Sequence, residues 1–177
     1  RVTTHARPFQ AVDLKRCLKE ALSNLENRIQ ETGGRVEVGV LPIIDADLYQ
    51  MIQLFQNLIG NGLKFHREGV SPVVRVEELP VETRDAPETP PIAVNALCRI
   101  AVTDNGIGFD EIHLERIFTP FQRLHGRSEY DGVGMGLSIC RRIAERHGGD
   151  ITAKSVKGEG TTFIVDLPRS QPDPDQK

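Results

Sequence analysis

Residues 47–65 limit the possible folds more than any other stretch. Leu48, Met51, Ile52, Phe55, Leu58 and Ile59 recur at the spacing of an amphipathic helix, so this side requires a covering layer. The opposite side carries Asn57, Asn61 and Lys64 at i, i+4 and i+7, aimed from one face. A solvated face has this look too, yet asparagine is a poor helix former and offers such a face little. Amide oxygens can ligate a hard cation such as Mg²⁺, which keeps room for phosphates and water, and a nearby ammonium can meet phosphate.

The rest of the chain supplies elements for that layer. Asp13 reads as an N-cap for a helix through Leu14, Cys17, Leu18, Ala21, Leu22, Leu25 and Ile29 that ends near Gly33 and Gly34. Val36, Val38 and Val40 alternate, and residues 42–44 form a short extended piece before a cap at Asp45. Residues 73–79 and 96–103 read as strands. Their connection, 80–91, holds four prolines and several acids and reads as a hairpin extension into solvent. Residues 112–117 predict a short helix, 119–133 a loop, 137–147 a helix, and 151–156 with 161–167 a hairpin around Gly158 and Gly160. Hairpins mixed with helices predict an α+β sandwich, a mixed and mostly antiparallel sheet covered on one face by helices.

A chain of 177 residues suits one core. A net charge of -3 gives no global basic field, so no nucleic-acid partner is expected. Cys17, Cys98 and Cys140 are odd in number and set among apolar residues, which suits buried thiols in a reducing compartment, here read as the cytoplasm. No apolar run reaches the ~18 residues of a membrane span, so no membrane contact is expected of this chain.

Two more segments carry chemistry. Asp104 follows the apolar run Ile100, Ala101, Val102 and opens the sequence Asp104, Asn105, Gly106, Ile107, Gly108. By itself this is also a common turn. A carboxylate ending a buried strand can accept a hydrogen bond from an exocyclic amine such as that of adenine, and Gly106 and Gly108 let backbone approach a flat base. Gly132, Gly134 and Gly136 immediately precede the helix that begins at Leu137. Such a loop is either a flexible connection or, with unpaired N–H groups and the helix dipole behind it, an anion site. No Gly-Lys-Ser/Thr follows, and a loop precedes it, which argues against P-loop and Rossmann readings.

In this order the segments resemble the histidine-kinase branch of the ATPase superfamily shared with DNA gyrase, heat-shock chaperones and mismatch-repair proteins. Asn57, Asn61, Lys64 and Phe65 match its N box, and Asp104 to Phe109 its first glycine box. Phe118 to Phe121 match the F box, Gly132 to Leu137 the second glycine box, and Gly160 to Phe163 the closing strand motif. The likeness spans about residues 13–167 and is greatest to the phytochrome-type kinases. It implies a Bergerat ATP-binding fold over residues 13–168, preceded at 1–12 by the end of a dimerisation helix or a linker and followed at 169–177 by a disordered tail.

The resemblance also implies roles. Asn61 would be the main Mg²⁺ ligand with Asn57 supporting it, Lys64 would contact phosphate, and Phe65 would pack beside ATP. Asp104 would hold the adenine amine, with Gly106 and Gly108 under the base and Thr162 near the same water network. Gly132, Gly134, Gly136 and Leu137 would border the phosphates. Residues 122–131 would form a lid from which Arg123 or Arg127 meets the γ-phosphate, and Phe118 and Phe121 would be either lid hinge or ordinary core. Gly62 stands where alanine is usual and Val133 where a small hydroxyl residue is common.

None of His5, His66, His113, His125 and His147 is followed by the acidic residue typical of a phosphoacceptor. The resemblance therefore implies a monomeric fragment of a homodimeric sensor kinase. Its partners would be its own dimerisation and phosphoacceptor domain, absent here, and a response regulator. A non-kinase ATPase of the same superfamily and a nucleotide-insensitive interaction module are the alternatives. The first generally carries a glutamate where this chain has Asn57.

Overall fold

The apolar side of the central helix is covered by a five-stranded sheet and two neighbouring helices. A computed structural model describes residues 7–81, 96–120 and 136–172. Its elements are β1 (Gln10–Asp13), α1 (Leu14–Asn24), α2 (Glu26–Thr32), β2 (Arg35–Val38), β3 (Ile43–Ala46), α3 (Leu48–Lys64), β4 (Val73–Leu79) and β5 (Leu97–Asp104). A 3-10 turn at Glu111–His113 then leads into α4 (Leu114–Ile117), followed by α5 (Gly136–Arg146), β6 (Asp150–Val156) and β7 (Gly160–Pro168).

The main sheet has the order β2-β4-β5-β7-β6, in which β2 and β4 are parallel and the other pairs antiparallel. This is the sandwich that the pattern predicts. Val74 and Val76, then Cys98, Ile100 and Val102, then Phe163, Val165 and Leu167 alternate toward α3 and its neighbours α1 and α5, and all are buried. Met51, Phe55, Leu58 and Ile59 close the core from the helix side, each worth roughly 1.5–3 kcal/mol of burial. The opposite sheet face carries ion pairs such as Arg99 with Asp166, 2.8 Å apart.

Several expectations need correction. The first helix is two, α1 and α2, because the chain bends at Leu25, just after Ser23 and Asn24, which compete for backbone hydrogen bonds. The helix cap is Asp47, since Asp45 is drawn into β3 by pairing with Ala11 of β1. Ahead of residue 13, Arg7 and Phe9 already contact the domain and β1 pairs with β3. β1 turns only Val12 inward, too little for an alternation to register in sequence. At the other end, Arg169 and Gln171 are part of the fold. Arg169 pairs with Glu78, and Gln171 donates to Asp45 Oδ2 at 3.1 Å and to the His147 carbonyl at 2.7 Å. β4 and β5 pair antiparallel as expected, whereas residues 82–95 of the proline-rich connection lie outside the described residues.

All three cysteines are buried and free, and burial pushes their thiols up, to about 12 for Cys17, about 11 for Cys98 and about 12 for Cys140. Such thiols stay protonated and inert at neutral pH. Among the described residues no helix is long and apolar enough to cross a membrane.

His147 is 1% exposed and joins the ends of two helices. Its Nδ1 donates to the Ile143 carbonyl at 2.7 Å, which leaves Nε2 to accept the Asp47 N–H at 3.1 Å. Only the neutral ring can do both. Burial, with the Arg146 charge adding to it, lowers its pKa from the ordinary 6.5. The unfolded chain therefore binds this proton more readily, and the stability His147 contributes is complete above pH 6.5 and lost as pH falls below it. The thermal midpoint is expected to drop between pH 7 and 5.5 in wild type; a flat profile over that interval would contradict the assignment.

Candidate functional site

The last turns of α3, the end of β5 and the start of α5 meet at one end of the helix layer. α3 is pinned there by backbone: the Phe65 carbonyl accepts the Ile107 N–H at 2.9 Å, and Arg67 Nε reaches the Asn105 carbonyl at 2.9 Å. Asn105 itself serves the loop, accepting the Val73 N–H and donating to the Ser71 carbonyl. Closeness depends on glycines. A Cβ on Gly106 would lie 2.4 Å from the Phe65 carbonyl oxygen, and one on Gly62 would lie 2.7 Å from Val74 Cγ2 and 3.1 Å from Asp104 Cβ. The ~1 kcal/mol that Gly62 costs the helix is the cost of letting α3 approach Asp104.

Asp104 ends β5 on the helix side of the sheet. Its Oδ1 accepts the N–H of Gly106 at 2.9 Å and of Thr161 at 3.3 Å. Burial raises its pKa above the ordinary 3.8, and these two backbone hydrogen bonds oppose the rise. Both of these backbone bonds fall on Oδ1. Gly108 has φ 61° and Gly160 φ 131°, and a Cβ on Gly160 would sit 2.0 Å from the Asp104 carbonyl oxygen. Both positions require glycine.

Sequence reasoning missed the support beneath this carboxylate. Ser155 Oγ accepts the Phe109 N–H at 2.9 Å and lies 2.8 Å from Thr161 Oγ1 and 3.1 Å from the Gly160 carbonyl. Ser155, Thr161 and Gly160 thereby fix the loop that presents Asp104. The expectation for Thr162 needs correction. Thr162 pairs with Thr103, and their hydroxyls meet at 3.1 Å on the sheet face turned away from the helices. The threonine beside Asp104 is Thr161, and the alternation of Phe163, Val165 and Leu167 already gave that phase.

On α3, Asn57, Asn61 and Lys64 are half-buried, as is its C-cap residue Phe65. Asn57 Nδ2 donates to the Gly136 carbonyl at 3.3 Å and so joins α3 to the first residue of α5. Lys64 Nζ lies 5.4 Å from the Phe65 ring centroid. The α5 start, with Leu137 half-buried against the core, directs its first N–H groups toward the same end.

Residues 46–171 match the family described as histidine kinase-, DNA gyrase B- and HSP90-like ATPases. The chain belongs to this ATPase family. It is 42% identical over 168 residues to phytochrome-like protein Cph1 of Synechocystis, covering 95% of this chain and 21% of that protein. Cyanobacterial phytochrome A of Nostoc is 41% identical over 169 residues, covering 95% and 20%. The chain thus spans about a fifth of the length of these relatives. Among solved structures, the mycobacterial sensor histidine kinase MprB superposes with TM-score 0.73 at 18% identity, covering 93% of this chain and 99% of that one. Full-length ShkA, solved with AMPPNP, gives 0.69 at 26% identity, covering 90% and 31%. Within the ATPase family the chain is of the histidine-kinase catalytic type.

In this ATPase-family domain Phe118 is core, buried and edge-on to Phe163 with ring centroids 6.3 Å apart, under the Arg141 guanidinium. Phe121, Arg123, Arg127, Gly132, Val133 and Gly134 lie outside the described residues.

Proposed function

We propose that the chain binds Mg-ATP and presents the γ-phosphate to a histidine on the parent's own dimerisation and phosphoacceptor domain, from which a response-regulator aspartate receives it. The observation that carries this reading is the half-buried Asp104 carboxylate, one oxygen held by two backbone N–H groups and the other left for the adenine amine, beside the amide-bearing face of α3. Related kinases have been solved with AMPPNP and, for ThkA, with the response regulator TrrA.

Mg²⁺ fits as a companion of the substrate. Among the described residues no group of three His, Cys, Asp or Glu could cage a metal, whereas the Asn61 amide oxygen suits an ion held mainly by phosphates and water. Asn57 ties Asn61's helix to α5, and Lys64 and Arg123 neutralise phosphate charge, so the chain's contribution is positioning and electrostatics. The absence of a glutamate at position 57 favours transfer over hydrolysis. The parent acts as a cytoplasmic homodimer, and this fragment is a monomer.

The test is incubation with γ-labelled ATP. The 1–177 chain should bind nucleotide yet form no acid-labile, base-stable phosphoramidate, and the parent carrying its acceptor segment should form it. Stoichiometric label on His66, His125 or another histidine of this chain would overturn the mechanism.

A further inference from the structure

We infer that Arg146, at the far end of α5 from the nucleotide, is a positioning residue for phosphoryl transfer: it fixes the direction in which the chain joins the domain. The inference rests on the reading that the acceptor lies upstream of residue 7. Both backbone groups of Arg7 are held. Its N–H donates to Asp47 Oδ2 at 2.9 Å, and its carbonyl accepts Arg146 Nη2 at 2.7 Å. Arg146 Nη1 meanwhile reaches Asp47 Oδ2 at 3.1 Å and Gln50 Oε1 at 2.6 Å.

Aromatic contacts complete the grip. The Arg146 guanidinium lies 4.6 Å from the Phe9 ring centroid, the Phe9 ring lies 4.7 Å from the His147 ring at a 47° tilt, and the Arg7 guanidinium covers Tyr49 at 4.2 Å. Pro8 stiffens the link, since its ring fixes one torsion and restricts Arg7 to extended conformations. A held Arg7 therefore fixes where and in which direction the chain enters the domain.

The clamp shares its framework with the nucleotide site. Asp47, 0% exposed, caps the start of α3 through the Tyr49 and Gln50 N–H groups, and the other end of α3 carries Asn61 and Lys64. α5 runs antiparallel to it, from Gly136 beside Asn57 to Arg146 beside Asp47, about 15 Å of helix. These two helices hold the ATP site at a set orientation to the joining chain. The α3 cap and the His147 bonds do not use Arg146, so the domain can fold without its bond to Arg7.

Arg146→Lys separates this role from simple helix-end charge. Lysine keeps the cation at the C-terminus of α5 but cannot span Asp47, Gln50 and the Arg7 carbonyl with one planar fork. In the parent protein, Arg146→Lys should lower kcat for acceptor phosphorylation about tenfold or more while KM for ATP stays within twofold. In the 1–177 chain it should speed exchange of the Arg7 amide hydrogen and leave ATP affinity unchanged. Unchanged kcat in an active parent, or a loss matched by equal loss of ATP affinity, would overturn the inference. A wild-type parent that phosphorylates no histidine would instead sink the kinase reading beneath it.

Discussion

Asp104→Asn is expected to leave the chain folded and to weaken ATP binding roughly 10- to 100-fold, the scale of a hydrogen bond to a charged group. The two effects separate because the carboxylate works against the fold. Its pKa is raised by burial from the ordinary 3.8, so at neutral pH the charged form costs stability, a cost relieved as pH falls through the raised value. Asparagine removes that charge while its amide oxygen keeps the N–H groups of Gly106 and Thr161. Its NH₂ then replaces Oδ2 and puts a donor against the donor of adenine. The thermal midpoint should hold or rise while affinity falls, and the preference for ATP over GTP should narrow, since guanine presents a carbonyl there. A large drop in thermal midpoint would show Asp104 to be structural.

Asn61→Ala should remove the Mg²⁺-dependent part of ATP affinity, tenfold or more, and with it acceptor phosphorylation in the parent. On the proposed reading, the Asn61 amide oxygen is the ligand α3 would offer to an ion otherwise held by phosphate and water. ATP affinity that still rises with Mg²⁺ in this variant would place the metal elsewhere.

How much of this was legible depended on whether the information was local. The α3 pattern announced both its buried side and its amide face because one helix carries both. Asp104 was readable as the polar end of an apolar strand, and the β7 alternation held the distinction between Thr161 and Thr162. The α3 cap lies two residues beyond the Asp45 that the pattern suggests because β1, which pulls Asp45 into a strand, is four residues long with one inward side chain. Nothing local could reveal Ser155 beneath Asp104, or Arg146 and His147 gripping Asp47 and Arg7. The Arg146 and His147 bonds join residues about 100 and 140 positions apart, and the antiparallel packing of α3 and α5 brings them together.

Calorimetric titration of the 1–177 chain with ATP and with GTP, each in the presence and absence of Mg²⁺, tests the central claim most directly. The site described here predicts ATP binding that tightens with Mg²⁺ and GTP binding at least ten times weaker, about 1.4 kcal/mol. Equal affinities for the two nucleotides, or no binding of ATP at all, would contradict it.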